Sequence, residues 1–518
     1  MQRLNPKQAF LHYDVLLSLL VALFLFLRYF RLPFVPIDPL VGDQAIFLDD
    51  AVRMLQGEVI YRDFSQFNLP GTECFYYVLV RAFGQVASIS ALTGVFVGFL
   101  YFLLGIALSR RVLSGWTVYV GSLFFMAFAY IPILSPTHHV FSALLILGAL
   151  LALIRGQEQE SGARGYAWAG ILCAIAVMFS SSRALSVAFF GVAFAIETKT
   201  TKRQLASFGA AFALTLAVCF VPLLLIVGPT ILWKELAEFL LLHYRAWPGN
   251  NLTGFALDLP SITGPRVLDV AQQSLALFKW MALYLSCPGA YILAAVVIPR
   301  KAKSYAESRQ LWMICLTGVG LFLSVATTPF IFRLAAVALP SSIMLAWYLK
   351  ESGKAGVAVA GFLGLLSVIL IPLGIARSQS HQYPLVNTPS GPVIVKAAPD
   401  STYERYAWIG SHTSPGDYFY SSVNADDYYL FHLKNPSPVQ FITIYSYTTA
   451  EQVSATVSGI RKNKVRFVLW GREIRTEALA TDPGPAGEDN LEPLRQMLRS
   501  EYHVAYVFQN SDQIWERN

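Results

Sequence analysis

Acidic side chains and arginines crowd one stretch near the start of the chain: Asp43, Asp49, Asp50, Arg53, Arg62 and Glu73. Carboxylates can take a proton from an attacking hydroxyl or hold a divalent cation, and the planar guanidinium fork suits a phosphate. Their spacing decides which of them can act together. The pattern from Gly42 to Gly57 predicts a helix over Asp43–Leu55, with Gly57 as its stop. Asp43 and Asp50, seven residues apart, then share one helical face, and Asp49 points roughly 100° away from Asp50. A second short helix is expected to run through Arg81 and stop at Gly84. On spacing alone the first helix also reads as an interfacial amphipathic helix with Asp43 as its N-terminal cap.

The elements around this stretch are those of a membrane protein. Charged residues make up 14% of the 518 and apolar residues 55%, whereas soluble domains carry roughly 25% charged residues. A span needs about 20 apolar residues. Candidate spans are 11–30, 88–109, 115–133, 138–154, 166–180, 184–197, 205–228, 279–298, 310–328, 330–349 and 355–376. As one helix, 166–197 would overshoot the bilayer and bury Arg183 at its centre, so two short helices turning at Ser180–Arg183 are expected. With the N-terminus in the cytoplasm, this choice keeps Arg300, Lys301 and Lys303 inside, as the positive-inside rule requires. The first apolar run lacks a small-residue cleavage site and reads as a retained span.

The fold class expected is mainly α: a polytopic membrane protein of about eleven transmembrane helices followed by a small α/β soluble C-terminal domain. The expected parts are a membrane domain (1–376) with two outer loops (31–87 and 229–278), a linker (377–400) and an extracytoplasmic domain (401–518). Apolar residues at helical spacing from Trp233 to Tyr244 predict an interfacial helix in the second loop. In the tail, helices are expected at 402–411, 425–433, 449–462 and 490–500, and strands at 417–422, 439–444, 465–470 and 503–508. The net charge of +7 lies in short loops between apolar runs, which argues for topology and against nucleic-acid binding. The five cysteines, Cys74, Cys173, Cys219, Cys287 and Cys315, form no Cys-x-x-Cys pair and suggest neither a disulfide framework nor a zinc site.

Asp43, Ala51, Leu55, Gly57, Tyr61-Arg62-Asp63-Phe64, Pro70-Gly71, Phe75-Tyr76-Tyr77 and Phe83-Gly84 follow one another in an order that resembles the first outer loop of the GT-C glycosyltransferases. Within them it is most similar to the polyprenyl-phosphate-dependent branch, the protein mannosyltransferases and lipid A aminoarabinose transferases. The motif covers Gly42–Gly84; the order of spans and a trailing outer domain extend the likeness in layout. The resemblance implies that Asp43 is the catalytic base, taking a proton as the acceptor hydroxyl attacks the anomeric carbon. A base without a covalent nucleophile implies inversion. The lipid phosphate is the leaving group, so no nucleotide-cradling Gly-rich loop is needed.

The leaving phosphate calls for arginines. Arg183 and Arg333 fall where the family carries basic residues, and Arg62 and Arg53 lie in the loop itself; each also reads as an interfacial anchor. Where some relatives carry a lysine before the Pro step, this chain has Leu69. Asp50 and Glu73 are the supporting acids. Asp49, Asp50, Glu73, His138 and His139 could hold a divalent cation, although adjacent histidines should diverge on a helix. The expected activity is hexosyl or pentosyl transfer from a polyprenyl-phosphate sugar to a glycan, lipid or protein acceptor, outside a bacterial inner membrane. A transporter or lipid flippase is the alternative, and a polysaccharide polymerase or ligase a third reading. Against transport, the charges gather at the outer surface and no repeat is visible.

Overall fold

Apolar runs of about twenty residues become helices because a helix alone satisfies its own backbone in lipid. The computed structural model describes residues 6–40, 42–158, 163–196, 200–247, 250, 267–328, 330–380, 383–395, 402–444, 446–474 and 489–518. The chain divides into two compact units. One comprises Met1–Tyr29, Leu92–Cys219 and Gly254–His381, the other Phe30–Ala91, Phe220–Thr253 and Gln382–Asn518.

The first unit is helical. Among the described residues five helices are long and apolar enough to cross a membrane: Ser88–Ser109, His138–Glu158, Lys202–Val227, Gln273–Lys301 and Gly353–Ala376. Lys202–Val227 shows what solvent they meet. Only 6% of its most apolar stretch is buried, and Leu214, Val218 and Leu225 are 68%, 66% and 79% exposed. Such a surface belongs in hydrocarbon, and the protein is a multi-pass membrane protein. The expected spans 11–30 and 310–328 coincide with the continuous helices Pro6–Tyr29 and Tyr305–Leu323, and the remaining ones with shorter or interrupted helices. Thr117–Phe125 runs on through a π turn (Met126–Tyr130) to Ile131–Ile133. The expected span 330–349 is broken into Ile331–Ala336 and Leu339–Glu351, with Pro340 in the first turn of the second, where its missing N–H does no harm. The stretch 166–197 is two helices, Ala163–Phe179 and Ala184–Ile196, joined by an extended Ser180 and a 3₁₀ turn at Ser181–Arg183. Gly170 lets helices approach closely: a Cβ there would lie 2.4 Å from the Phe208 carbonyl oxygen.

In the second unit, helices Asp43–Leu55 and Gly71–Phe83 stand where the pattern places them. The cap reading of Asp43 needs correcting: Gly42 is the N-cap and Asp43 the first helical residue. The expected interfacial helix is composite, with Pro229–Trp233, a π turn at Lys234–Glu238, and Phe239–Leu242. The tail packs helices Thr402–His412, Asp426–Phe431, Ala450–Lys462 and Glu492–Glu501 with a four-stranded sheet. Its strand order is Phe419–Ser421, Phe467–Trp470, Gln513–Arg517, Tyr502–Val507; the first pair is parallel and the others antiparallel. Val453, Val457 and Ile460 share one face of Ala450–Lys462 and meet Val468 and Trp470 from the sheet and Leu494 and Leu498 from the last helix.

Three expectations for the tail are corrected. Residues 439–444 are not a strand. Their irregular backbone is satisfied from outside any ladder: Val439 N–H donates to Ser437 Oγ at 3.1 Å and Thr443 N–H to Thr448 Oγ1 at 2.8 Å. Within the expected linker, Leu385–Thr388 pairs antiparallel with Gly391–Ile394 as a hairpin. Gln513–Arg517 is a strand that was not anticipated.

Gly459 packs so closely that a Cβ would stand 2.0 Å from the Pro436 carbonyl oxygen. Gly459→Ala is expected to destabilise the folded chain by about 1–3 kcal/mol through overpacking, despite alanine's better helix propensity. Thermal unfolding in detergent measures this; a raised midpoint would show that the helix shifts freely.

Candidate active site

Helix Asp43–Leu55 carries one cluster. Asp43 heads it, half-buried, at the end where the helix dipole favours a carboxylate. Further along, Asp49 and Asp50 are 2% and 0% exposed, an unusual place for acids. Gln66 Nε2 donates to Asp50 Oδ2 at 3.0 Å and Gln440 Nε2 donates to Oδ1 at 2.6 Å. One carboxylate thus ties the first loop and the irregular 439–444 segment to the same helix. Arg53 reinforces the tie. Its Nε donates to Glu58 Oε2 at 2.8 Å, its Nη1 to the Ser437 carbonyl at 3.0 Å, and its guanidinium lies 4.6 Å from the Phe64 ring centroid. Glu73, fully buried on Gly71–Phe83, has no hydrogen-bond partner at either carboxyl oxygen.

Burial pushes the Asp49 carboxyl up to about 7 and Asp50 up to about 6, with Arg53 opposing both shifts. Burial, and then the charge of nearby Asp50, holds Glu73 well above its ordinary value. The folded protein therefore keeps protons that the unfolded chain releases near pH 4. Stability from these acids is full below about pH 4 and falls as pH rises through about 6–7. The unfolding midpoint of the full chain should be higher at pH 5 than at pH 8, with Asp49→Asn shrinking the difference. A midpoint that rises with pH over this interval, in a form that Asp49→Asn abolishes, would mean Asp49 is folded as an anion.

In the other unit, the turn after Phe179 places Arg183, which is completely buried. Its Nε donates to Ser142 Oγ at 2.9 Å, its Nη2 to the His139 carbonyl at 3.2 Å, and its Nη1 to Ser324 Oγ. All three partners are neutral. Ser142 and His139 belong to the first turn or so of helix His138–Glu158, whose amino end adds positive potential. The His139 ring, 8% exposed, has no hydrogen-bond partner at either nitrogen. It lies 6.3 Å from the Phe332 ring, and the Arg333 guanidinium lies 5.7 Å from that same ring. Arg333 Nη1 donates to Thr328 Oγ1. Arg183, His139 and Arg333 thus gather around one helix start, a combination suited to an anion.

The expected arginines therefore separate. Arg183 and Arg333 come together; Arg53 is occupied by Glu58 and the Ser437 carbonyl, and Arg62 is a surface residue paired with Asp63 at 2.7 Å. Asp50 and Glu73 are near enough for the charge of one to act on the other. His138 and His139 do not diverge: their ring centroids lie 3.9 Å apart, the planes tilted by 40°. Among the described residues no three His, Cys, Asp or Glu side chains gather to hold a metal ion, so the donor set expected around Asp49, Asp50 and His138 does not fit one. Gln66, Gln440, Ser142 and Ser324 escaped sequence reasoning, because amides and hydroxyls distant in sequence carry no motif.

No family model and no curated protein matches the chain. Solved structures do. The mycobacterial arabinofuranosyltransferase AftD superposes with a TM-score of 0.50 at 12% identity, over 98% of this chain and 40% of that one. The Archaeoglobus fulgidus oligosaccharyltransferase, in the apo form, gives 0.49 at 14% identity over 98% and 74%. ArnT from Cupriavidus metallidurans, in the apo state, gives 0.41 at 12% identity over 98% of both chains. All three are GT-C proteins. The superposition with AftD takes in nearly the whole of this chain, which therefore has the GT-C fold.

Proposed function

We propose that the protein transfers a sugar from a polyprenyl-phosphate carrier to an acceptor hydroxyl on the extracytoplasmic side of a membrane, with inversion. The observation that carries this reading is the buried Arg183, held by neutral partners only, beside the unpaired His139 ring and Arg333. A buried cation without a counter-charge is costly unless a ligand supplies one. A carrier phosphate is the anion expected at a membrane edge, and the fold is one that glycosyltransferases use. Asp43 takes the acceptor proton. Arg183 and Arg333 hold the phosphate and stabilise the charge that grows on it as the glycosidic bond breaks. Asp50 and Glu73 shape the loop that presents Asp43. In this reading the chain crosses the membrane eleven times, with the N-terminus in the cytoplasm and residues 401–518 outside.

The test is turnover in isolated membranes supplied with labelled polyprenyl-phosphate sugars, comparing the wild-type chain with Asp43→Asn at equal expression. Wild type should release free carrier, and the variant should lose at least about a hundredfold in rate. A variant as fast as an active wild type removes Asp43 from catalysis. Labelled carrier crossing the bilayer without cleavage would make the protein a transporter.

A further inference from the structure

The second unit holds a cavity of about 400 Å³ that the proposed chemistry does not use. That volume suits a small ligand or one residue of a larger one. Tyr61 and Phe64 from the first loop and Phe239 from the composite helix give it apolar walls. Its polar lining is unbalanced. Arg62 is engaged by Asp63 through two hydrogen bonds of 3.0 and 2.7 Å. Lys234 is paired with Glu451. Helix Ala450–Lys462 points its amino end at the cavity, where a capping box takes up two of its donors: Gln452 N–H donates to Thr449 Oγ1 at 3.2 Å and Thr449 N–H to Gln452 Oε1 at 3.0 Å. The two cations of the lining are thus paired.

Glu235 and Glu238 line the cavity within reach of the Lys234 charge, but the lysine's ion pair is made to Glu451. Both sit in the π turn Lys234–Glu238, a rare geometry that recurs at functional sites. Glu235 receives a long hydrogen bond, 3.4 Å from Ser65 Oγ, and one from the Gln66 backbone N–H, and burial pushes it up to about 7. His243 Nδ1 lies 2.9 Å from the Ser446 carbonyl; a carbonyl only accepts, so Nδ1 carries the proton and Nε2 keeps its lone pair. A ligand that fits must bring several hydrogen-bond donors on a compact body with apolar faces, and must not be an anion. A sugar ring has this character.

We infer that this cavity binds a neutral sugar residue of the acceptor, with Glu235, Glu238 and His243 accepting from its hydroxyls. The acceptor is then a glycan or glycolipid, an assignment that rests on the transferase reading above.

The experiment is direct binding to the purified full-length chain in detergent, followed by saturation-transfer NMR. The probes are glucose, mannose, galactose, arabinose and N-acetylglucosamine, with glucose 6-phosphate and N-acetyl-lysine amide as contrasts. At least one neutral sugar should saturate. Glu235→Ala combined with Glu238→Ala should weaken it at least about tenfold, since hydrogen bonds to two carboxyl groups are lost. The exposed Glu451→Ala, which frees Lys234 to compete for the same carboxylates, should weaken it about two- to fivefold without touching the core. The proposal is overturned if no neutral sugar binds, if glucose 6-phosphate binds as well as glucose, if only the lysine amide binds, or if binding survives all three substitutions. Carrier release from the donor is measured separately. If release fails while sugar binding behaves as described, the transfer reading falls and the sugar site stands.

Discussion

Arg405→Met will lower the unfolding midpoint of the C-terminal tail as much as the loss of a large core side chain would. Arg405 lies on helix Thr402–His412, is 5% exposed, and meets two neighbouring acids: Nη2 is 3.0 Å from Asp426 and Nε is 3.1 Å from Asp427. Those acids are 5% and 0% exposed. Tyr406 OH also donates to Asp426, and Ser421 Oγ donates to Asp427 at 2.9 Å. One cation thus serves two buried acids, and burial pushes Asp427 up to about 7 even with Arg405 opposing the shift. Removing it leaves both uncompensated and repelling each other, for which about 3–5 kcal/mol is expected. For a unit of this size that is roughly 6–20 °C in midpoint, read by circular dichroism on the detergent-solubilised chain. Methionine fills much of the same volume, so the loss is electrostatic, and two rescues follow. Asp427→Asn in the same chain should recover at least half of it, and acidification to pH 5, by protonating one of the stranded carboxyls, should recover part. A midpoint that neither rescue moves would mean that the arginine acts through its hydrocarbon stem.

This ion cluster also marks where sequence reasoning ends. Ser421–Tyr429 carries no motif, and its acids acquire meaning only when Arg405, on another helix, packs against them. The helices were legible for the opposite reason. Hydrocarbon imposes a length and a composition that each span must satisfy by itself, so Ser88–Ser109 is found at the expected bounds. Asp43–Leu55 likewise declares itself locally, through its apolar spacing and the Gly57 stop. Val439–Ile444 misled because its β-branched and aromatic residues, favoured in strands, serve another end. Val439, Ile442 and Ile444 enter the tail's core, while Gln440 turns to Asp50. Gln513–Arg517 has a weaker strand composition, yet it is a strand, with Ile514 buried and paired with Leu469. Composition reports a preference, and only the partner decides whether a ladder forms. Of the candidate site, residue types and the pairing of Arg183 with Arg333 could be anticipated through resemblance. The commitment of Arg53 to Ser437 could not, because it depends on a residue nearly four hundred positions away.

Arg183→Met is expected to weaken binding of polyprenyl phosphate by about a hundredfold or more while leaving the unfolding midpoint unchanged or higher. The first half follows from losing a charged, forked donor at a desolvated site, where such losses amount to about 2–5 kcal/mol. The second half follows from what the substitution leaves behind. Ser142 Oγ already donates to the His139 carbonyl at 3.2 Å and Ser324 Oγ to the Leu321 carbonyl at 2.6 Å. Both hydroxyls only accept from Arg183, so its removal strands no buried donor, and the His139 carbonyl keeps its serine partner. What disappears is a guanidinium with no exposed surface and no carboxylate, whose desolvation is repaid only in part by three neutral acceptors. A structural role makes the reverse prediction, a midpoint several degrees lower with carrier affinity little changed. Arg183→Lys separates charge from shape. The ammonium keeps the charge but cannot reach three acceptors and a phosphate at once, so affinity should fall between wild type and the methionine variant. Equilibrium binding of carrier lipid in detergent, with thermal unfolding of the same samples, measures both quantities. Retained affinity in Arg183→Met would remove this arginine from the phosphate site.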